Sequence, residues 1–375
     1  MRMKKIMILA AVAIAAVACS RTYDIAPASD QAIGFNTWSD VMTKARATAN
    51  DNTAFQSGDA FDIYGFKTVG STNSVVFDGD DVTATVSGSS VTWDYTPHRF
   101  WDPAASSYTF FAVLPANQLA TADAETGLFV SNDISFNDPT NFSNDILVAD
   151  KNVVNGSSST SSAPFSYTNP VQIQFNHVAS SVDLFVKQDN KLGNAVVKVT
   201  ALSLLKIHNS GHFTVSGYSS NIPTVTWDEN STPSTLNSGE YVVLDASSDS
   251  DDVPVTGKTT YDNHSASSTT GDAAAIFQGY VFMPQTISAG VQQIKLSYTI
   301  QVGSETPNVY TDVVIDIRDF MTTDTDNNSG TNITSWAPKT RYIYTMTIGA
   351  NAIEFTASVK NWEATDVNGY QYLLN

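Results

Sequence analysis

Residues 293–302 read QIKLSYTIQV, and this stretch decides the class of fold. Every second residue from Ile294 to Val302 is apolar, and Lys, Ser, Thr and Gln stand between them. Successive side chains of a β-strand point to opposite faces. The pattern therefore predicts a strand with one face in a hydrophobic core and the other in water.

The same two-residue period recurs along most of the chain after Gly58. Residues 108–114 (YTFFAVL) are instead almost continuously apolar, which predicts a strand buried on both faces. No segment longer than about ten residues keeps a helical period. The chain is therefore predicted to be all-β, with two tandem β-sandwich domains and short helices in the connections. The periodic stretches are 61–66, 82–86, 91–95, 171–177, 182–186, 197–203, 342–348 and 353–359.

The length of 375 residues fits about two domains of roughly 100–200 residues each. We predict two Greek-key, transthyretin-like sandwiches that meet near residue 175. The Ser- and Thr-rich stretches 155–164 and 245–272 are predicted loops. The predicted parts are a signal peptide (1–19), a leader with the first strand (20–46), an N-terminal domain (47–175) and a C-terminal domain (176–375) that ends in a tail strand (366–375).

The N-terminus, MRMKKIMILAAVAIAAVAC, reads as a lipoprotein signal peptide. Basic residues precede an apolar run that ends at Val17 and is too short to span a bilayer. Small residues then lead to Cys19, the only cysteine of the chain, whose thiol would carry the lipid. An ordinary secretory peptide with a chance cysteine is the alternative. Because Ser20 rather than Asp follows, we predict an outer-membrane lipoprotein precursor at the cell surface.

The composition argues against two classes of function. The net charge is −18, and a field of this sign repels phosphate groups, so nucleic-acid binding is not expected. The sequence contains no G-x-S-x-G, Walker A loop, G-x-G-x-x-G or H-E-x-x-H. We therefore expect neither a cofactor nor an enzymatic activity.

Three weaker patterns involve possible metal ligands. His208 and His212 have the spacing of a helical zinc pair, but the Ser and Gly between them favour a turn with exposed histidines. From Asp324 the chain begins like a calcium loop, which then lacks the required Gly and Glu. His177 lies on an apolar strand face and is interpreted as a core histidine. We expect no metal at these positions.

Several aromatic stretches occur in a characteristic order. They are WDY at 93–95, FW at 100–101, YTFFA at 108–112 with Pro115, FNH at 175–177 and KNW at 360–362. Together they resemble the fimbrillins, the type V pilins of Gram-negative oral and gut anaerobes. The resemblance implies a lipid-anchored precursor of a surface pilus subunit. The aromatic side chains themselves are interpreted as core rather than as a ligand site.

The resemblance also implies a route to polymers. A trypsin-like protease with arginine specificity removes the lipidated leader, and a strand from another subunit fills the groove that is left. Here Arg46, followed by Ala47, fits such a cut, which would release a leader strand carrying Ile33 and Phe35. Arg21 is a poorer position, because a cut there keeps that strand.

The donor strand is expected in the tail, where Tyr370, Tyr372 and Leu374 stand at every second position. A tail that folds back on its own domain is the alternative. The expected partners are other pilin subunits, the membrane through the lipid on Cys19, the arginine-specific protease, and a host protein or glycan.

Three functions compete at this stage. The first is a structural pilus subunit that supports adhesion. The second is a non-polymerising surface lipoprotein or tip adhesin that binds a glycan or a host protein. The third, an enzyme such as a glycosidase, would need two carboxylates about 5–10 Å apart in a cleft.

Overall fold

The computed structural model describes residues 32–37, 55–88, 90–138, 145–156, 165, 169–229, 240–245, 252–255, 273–322, 331–350 and 353–361. Within these ranges the chain forms strands and two 3₁₀ helices, Asn190–Leu192 and Ile317–Asp319, which confirms the all-β prediction. In the same ranges, no helix is long and apolar enough to cross a membrane.

The strands of the first half, in chain order, are β1 (Phe35–Thr37), β2 (Ala60–Val69), β3 (Thr72–Ser87), β4 (Ser90–Asp94), β5 (Ser107–Leu114), β6 (Leu119–Asp123), β7 (Leu128–Ser131), β8 (Ile134–Ser135), β9 (Leu147–Ala149), β10 (Asn152–Asn155), β11 (Val171–Ile173) and β12 (Phe175–His177). The strands that follow are β13 (Ser180–Gln188), β14 (Val196–Leu205), β15 (Ser210–Ser219), β16 (Ile222–Glu229), β17 (Glu240–Leu244), β18 (Val253–Pro254), β19 (Ala274–Phe282), β20 (Gln285–Thr286), β21 (Gln293–Gln301), β22 (Asn308–Asp316), β23 (Met321–Thr322), β24 (Ser335–Trp336), β25 (Thr340–Ile348) and β26 (Ile353–Asn361).

The largest sheet has the strand order β12-β9-β5-β2-β3-β4, and β10 also pairs with β5. We call it the large sheet. One of its faces packs against the two-stranded sheet β1-β11, and the other packs against the back sheet, β16-β15-β7-β6 with β8 beside β15. The large sheet is therefore covered on both sides.

Strand β5 shows the effect of this double cover. Phe110 and Ala112 lie in the core beneath β1, whereas Phe111 and Val113 lie in the core beneath the back sheet. A strand with two buried faces needs apolar residues at consecutive positions. The two-sided burial predicted for residues 108–114 is confirmed.

The second half forms another pair of packed sheets. A mixed sheet has the order β19-β13-β25-β26-β23, and an antiparallel sheet has the order β17-β14-β21-β22, with β18 beside β14. Their facing apolar side chains form one core. The short ribbon β20-β24 adds Trp336 to it.

A buried ion pair joins three strands of the mixed sheet. Arg341 Nη2 lies 2.8 Å from Asp183 Oδ2, across the parallel strands β25 and β13. The backbone N–H of Gly279, on β19, donates to the other Asp183 oxygen at 2.6 Å. Such a pair is strongly destabilising when one partner is removed, because the other charge is left buried.

The back sheet draws strands from both sides of residue 175. The hairpin β15–β16 pairs with β7 and β8 of the first half. The indole N–H of Trp227 donates to the Val178 carbonyl at 2.7 Å, and Lys339 Nζ lies 2.6 Å from Asn176 Oδ1. The two predicted domains are thus joined by a shared sheet, and a boundary near residue 175 stays a prediction.

Two strand patterns differ from the predictions. The stretch 171–177 is not one strand, because β11 pairs with β1 and β12 pairs with β9, with Gln174 between them. The alternation that starts at Val197 predicts that Ala201 and Ser203 enter the core. A bulge in β14 between Val199 and Ala201 reverses it, so Leu202 and Leu204 enter the core instead. A bulge inserts one residue and moves every later side chain to the other face.

Candidate functional site in the leader-strand slot

The short strand β1 lies between two segments of backbone that are distant in the sequence. On one side it pairs with β11 in parallel register, Phe35 opposite Val171, and the Val171 N–H donates to the Gly34 carbonyl at 2.8 Å. On the other side the Ile33 N–H donates to the Arg99 carbonyl at 2.8 Å, and Ala32 forms an antiparallel bridge to residue 100. We call the groove that holds residues 32–37 the slot.

The side chains of β1 enter the core beneath the large sheet. The Phe35 ring has four aromatic neighbours, with centroid distances of 5.4–6.3 Å. Burial of one such ring stabilises a fold by about 1.5–3 kcal/mol, and well-oriented aromatic pairs add about 0.5–1.5 kcal/mol each. Phe35 is therefore the main apolar contact of the slot. Its neighbours are Phe61, Phe77, Tyr95 and Phe110; the other buried residues of the segment are Ala32, Ile33 and Thr37.

Tyr95 closes the polar side of the slot. Its buried hydroxyl donates to the Ile33 carbonyl at 2.8 Å and accepts from the Arg99 N–H at 3.1 Å. Burial raises the pKa of Tyr95 to about 12, so the phenol stays protonated and remains a donor at neutral pH. The hydroxyl thus ties the leader backbone to the wall of the slot.

The side chain of Arg99 fixes the wall that pairs with Ile33. Its guanidinium forms an ion pair with Asp80 (Nη2 to Oδ1, 3.0 Å) and donates through Nε to the Val76 carbonyl at 3.2 Å. Both partners belong to β3, so the segment that carries the Arg99 carbonyl is held against the large sheet. This wall is anchored to β3 independently of residues 32–37.

Two tryptophans lie one ring further from Phe35. Trp93 packs edge-on against Phe55 and also contacts Phe61, with both centroid distances at 4.9 Å. Trp101 stacks on Phe165 at 4.9 Å. Both indoles are buried, and in the described part of the chain neither indole N–H has a hydrogen-bond partner.

The connection between β1 and the remainder of the fold lies in residues 38–54. The predicted cleavage position, Arg46 and Ala47, falls there, outside the described residues. The next described strand, β2, begins only at Ala60. A cut in this connection would separate β1 from the protein without dividing any other described strand. Cys19 and the tail residues Tyr370, Tyr372 and Leu374 also lie outside the described ranges.

The family of the chain is shown by a match over most of its length. Residues 45–362 match the model of a family described as fimbrillin-like. The chain belongs to the fimbrillin-like family. The family is fimbrial, which implies a location at the cell surface.

One solved structure shares the fold with a TM-score above 0.5, and others are less similar. A fimbrial protein from Bacteroides vulgatus has a TM-score of 0.55 to the fimbrillin-like chain at 19% identity, over 88% of this chain and 99% of that one. A candidate cell adhesion protein from Bacteroides uniformis has a TM-score of 0.45 at 17% identity, over 88% and 98% of the two chains. The tip fimbrial protein Mfa3 from Porphyromonas gingivalis, with a C-terminal truncation, has a TM-score of 0.39 at 8% identity, over 89% and 100%. No curated protein matches the chain.

Each histidine in the described part of this fimbrillin-like protein is paired with an acid. His177 lies in the core, as its strand pattern predicted, and its Nδ1 is 2.9 Å from Asp145 Oδ1. The expectation of an exposed His208 is wrong: the ring is buried, with Nε2 3.1 Å from Glu229 Oε2. The expected turn is also wrong, because Ser210 and Gly211 begin strand β15, on which His212 is half-buried. Among the described residues no group of three or more ligands could hold a metal ion, and the loop from Asp324 lies outside them.

One buried carboxyl group was missed by sequence reasoning. Asp62 on β2 lies directly opposite Asp81 on β3, and the Asn117 N–H donates to Asp62 at 2.8 Å. Burial, together with the neighbouring Asp81, raises the pKa of Asp62 to about 7. The neighbouring Asp81 adds to the rise, because two nearby carboxyl groups cannot both easily carry a negative charge.

Proposed function

We propose that this fimbrillin-like protein is the lipid-anchored precursor of a pilus subunit, and that it polymerises by exchanging the strand in its slot. One observation carries the proposal: residues 32–37 fill a groove lined by four aromatic rings, yet they join the fold only through the connection 38–54. Once the connection is cut, a strand of another chain can replace residues 32–37. Strand addition of this kind gains affinity from backbone hydrogen bonds and specificity from side-chain pockets.

The emptied slot would be costly in water. Loss of the leader would expose the pocket of Phe35 and leave the Val171 N–H without the Gly34 carbonyl. It would also remove one partner each from the Tyr95 hydroxyl and the Arg99 carbonyl. An unpaired buried group costs about 1–3 kcal/mol, and an exposed apolar edge is a template for strand pairing. The cut subunit is thereby driven to bind a strand.

The lipid and the cut complete the proposed sequence of events. Cys19 would hold the precursor at the outer membrane, and an arginine-specific protease would cut between Arg46 and Ala47. Most of the leader, residues 20–44, lies outside the region 45–362 that matches the family. Cleavage would release the lipid and open the slot in one step.

The proposed donor is the tail of another subunit. Strand β26 ends at Asn361, so residues 362–375 follow it. Fourteen extended residues span at most about 45–50 Å, which is long enough to leave the subunit that carries them. The face formed by Tyr370, Tyr372 and Leu374 would enter the slot. The partners would be other subunits of the same or a related kind.

The two faces of the tail provide the test. Replacing Tyr370, Tyr372 and Leu374 together by Ser should abolish SDS-resistant ladders after treatment with an arginine-specific protease. The matched control replaces the intervening Gln371 and Leu373 by Ser and should still form ladders. Ladders from the first variant at the parental level would rule out the donor role. Absence of ladders from the parent protein would favour the non-polymerising adhesin.

A further inference from the structure

We propose that the donor tail binds the slot in one register, with Tyr370 in the place of Phe35, and that the indole N–H of Trp93 selects it by donating a hydrogen bond to the Tyr370 phenol oxygen. The inference rests on the proposed function and adds two things to it: the alignment of the incoming strand and the group that distinguishes this strand from the leader.

The register follows from a match between the two ends of the chain. Residues 34–36 read Gly-Phe-Asn, and residues 369–371 read Gly-Tyr-Gln. Among the twenty glycines of the chain, only Gly34 and Gly369 are followed by an aromatic residue and then an amide. Aligning the two triplets puts Tyr370 into the pocket of Phe35 and Gln371 at the exposed position of Asn36. From residue 35 onward the burial pattern then matches: Tyr370 and Tyr372 take the buried positions 35 and 37, and Gln371 takes the exposed position 36.

The two aromatic residues differ by one hydroxyl group. The pocket of Phe35 is lined mainly by hydrocarbon, and a hydroxyl buried there without a partner would weaken binding by about tenfold or more. A tyrosine is therefore expected in this place only if the wall supplies a hydrogen-bond partner. In this register the Asn368 carbonyl takes the place of the Ile33 carbonyl, so the Tyr95 hydroxyl stays engaged by the backbone of the strand and by the Arg99 N–H.

Trp93 is the donor that the leader leaves unused. Its side chain is more than nine-tenths buried, and in the described part of the chain its N–H has no acceptor. The Phe61 ring contacts both Trp93 and Phe35, at centroid distances of 4.9 and 6.3 Å. The Cα atoms of β1 and β4, the strand of Trp93, approach within 8 Å. The leader presents only Ile33 and Phe35 as large side chains in this region, and neither has an acceptor.

Trp101 has an unpartnered N–H as well, but its surroundings are different. It lies next to the bridge between Ala32 and Phe100, and one face of its ring is covered by Phe165. Its nearest ring contact toward Phe35 is Phe110 rather than Phe61. It is therefore the matched control for Trp93. If the indole of Trp93 is satisfied only by the incoming tyrosine, the exchange of leader for tail gains a hydrogen bond that the precursor lacks.

The first test uses the intact exported chain and needs no strand exchange. Phe35→Tyr should be tolerated in the parent protein. In the Trp93→Phe background, the same change should raise the unfolding equilibrium constant about tenfold more than it does in the parent protein. The same Phe35→Tyr change should show no such coupling with Trp101→Phe. Coupling to Trp101 alone, or to neither tryptophan, would overturn the assignment. If Trp93→Phe does not fold, the exchange protection of the Trp93 indole proton in Phe35→Tyr provides the same information, and an unprotected proton counts against the bond.

The second test measures the tail itself. A peptide of residues 364–375 is added to protein whose leader has been cut after folding, and its affinity is compared with those of the Tyr370→Phe and Tyr372→Phe peptides. The Tyr370→Phe peptide should bind to the parent protein about tenfold more weakly than the unchanged peptide does. The two peptides should bind equally well to Trp93→Phe. The affinity of the Tyr372→Phe peptide relative to the unchanged one should be the same for both proteins. Binding without this dependence would refute the inference alone. Failure of every peptide to bind would refute the proposed function and the inference together.

Discussion

The Tyr95 hydroxyl donates a hydrogen bond of 2.8 Å to the carbonyl oxygen of Ile33, 62 residues earlier in the chain. The bond joins the wall of the slot to the backbone of the segment that fills it, so it does not depend on the side chain of residue 33. A replacement strand of different sequence can make the same bond. Side-chain selectivity must then come from the pockets, and the pocket of Phe35 is lined by four aromatic rings.

Phe35→Ala should lower the free energy of unfolding by about 3–5 kcal/mol, because a buried ring is removed and a cavity remains. Urea unfolding followed by tryptophan fluorescence measures the change. Asn36→Ala is the neighbouring control: its side chain is exposed, and we expect a change below about 1 kcal/mol. Equal effects of the two substitutions would mean that β1 does not contribute to the core as described.

Tyr95→Phe should speed the release of the leader after cleavage, because the bond to the Ile33 carbonyl is lost. The loss of one buried hydrogen bond costs about 1–3 kcal/mol, which corresponds to a release rate roughly 5 to 150 times faster. Release is measured as dissociation of a labelled leader from the cut protein. Tyr108→Phe is the control, since that hydroxyl accepts from the Asp102 N–H in the same core and does not touch the leader. Equal release rates for both variants would contradict the role of Tyr95.

Arg46→Ala should leave the protein lipid-bound at its full exported length, because the proposed protease would lack its basic residue at the cut. The mass and N-terminal residue of the surface protein give the result. Arg21→Ala removes a basic residue from the same leader and should be processed normally. Normal processing of Arg46→Ala would move the cut elsewhere in the leader.

The sequence predicted the local part of this fold well. The alternation around Phe35 and the apolar run at 108–114 each indicate which side chains are buried, because the period of a strand is a local property. The partner of β1 was not predictable in the same way. A parallel pair with β11 joins residues more than 130 positions apart, and nothing in the short stretch 35–37 specifies that register.

The missed residues have a common physical cause. Asp62 alternates with Phe61 and Ile63, a pattern that normally puts the acid in water. The face of β2 that carries Asp62 is instead covered by the back sheet, part of which comes from residues 210–229. His208 is buried for a similar reason, since its backbone N–H donates to Gln285 of a distant strand at 2.9 Å. Such distant cover leaves no periodic signal near the residue.

The buried Asp62 makes stability depend on pH. Its folded pKa of about 7 lies above its ordinary value of 3.8, chiefly because burial disfavours the charged form. Below about pH 4 the group is protonated in both the folded and the unfolded state, and burial costs little. As the pH rises toward 7, the unfolded chain loses its proton first, so the folded state becomes progressively less favoured.

Asp62→Asn should remove this dependence, because an amide can accept from the Asn117 N–H and donate to Asp81 without carrying charge. We expect a gain in the free energy of unfolding on the order of 2–4 kcal/mol at pH 8 and little change at pH 4. Thermal or urea unfolding at pH 4, 6 and 8 measures it. Asp78→Asn, an exposed acid on the neighbouring strand, should change stability by less than about 0.5 kcal/mol at each pH. A gain for Asp62→Asn that is the same at pH 4 and pH 8 would show that the carboxyl does not titrate between them, and its effect would then come from packing alone.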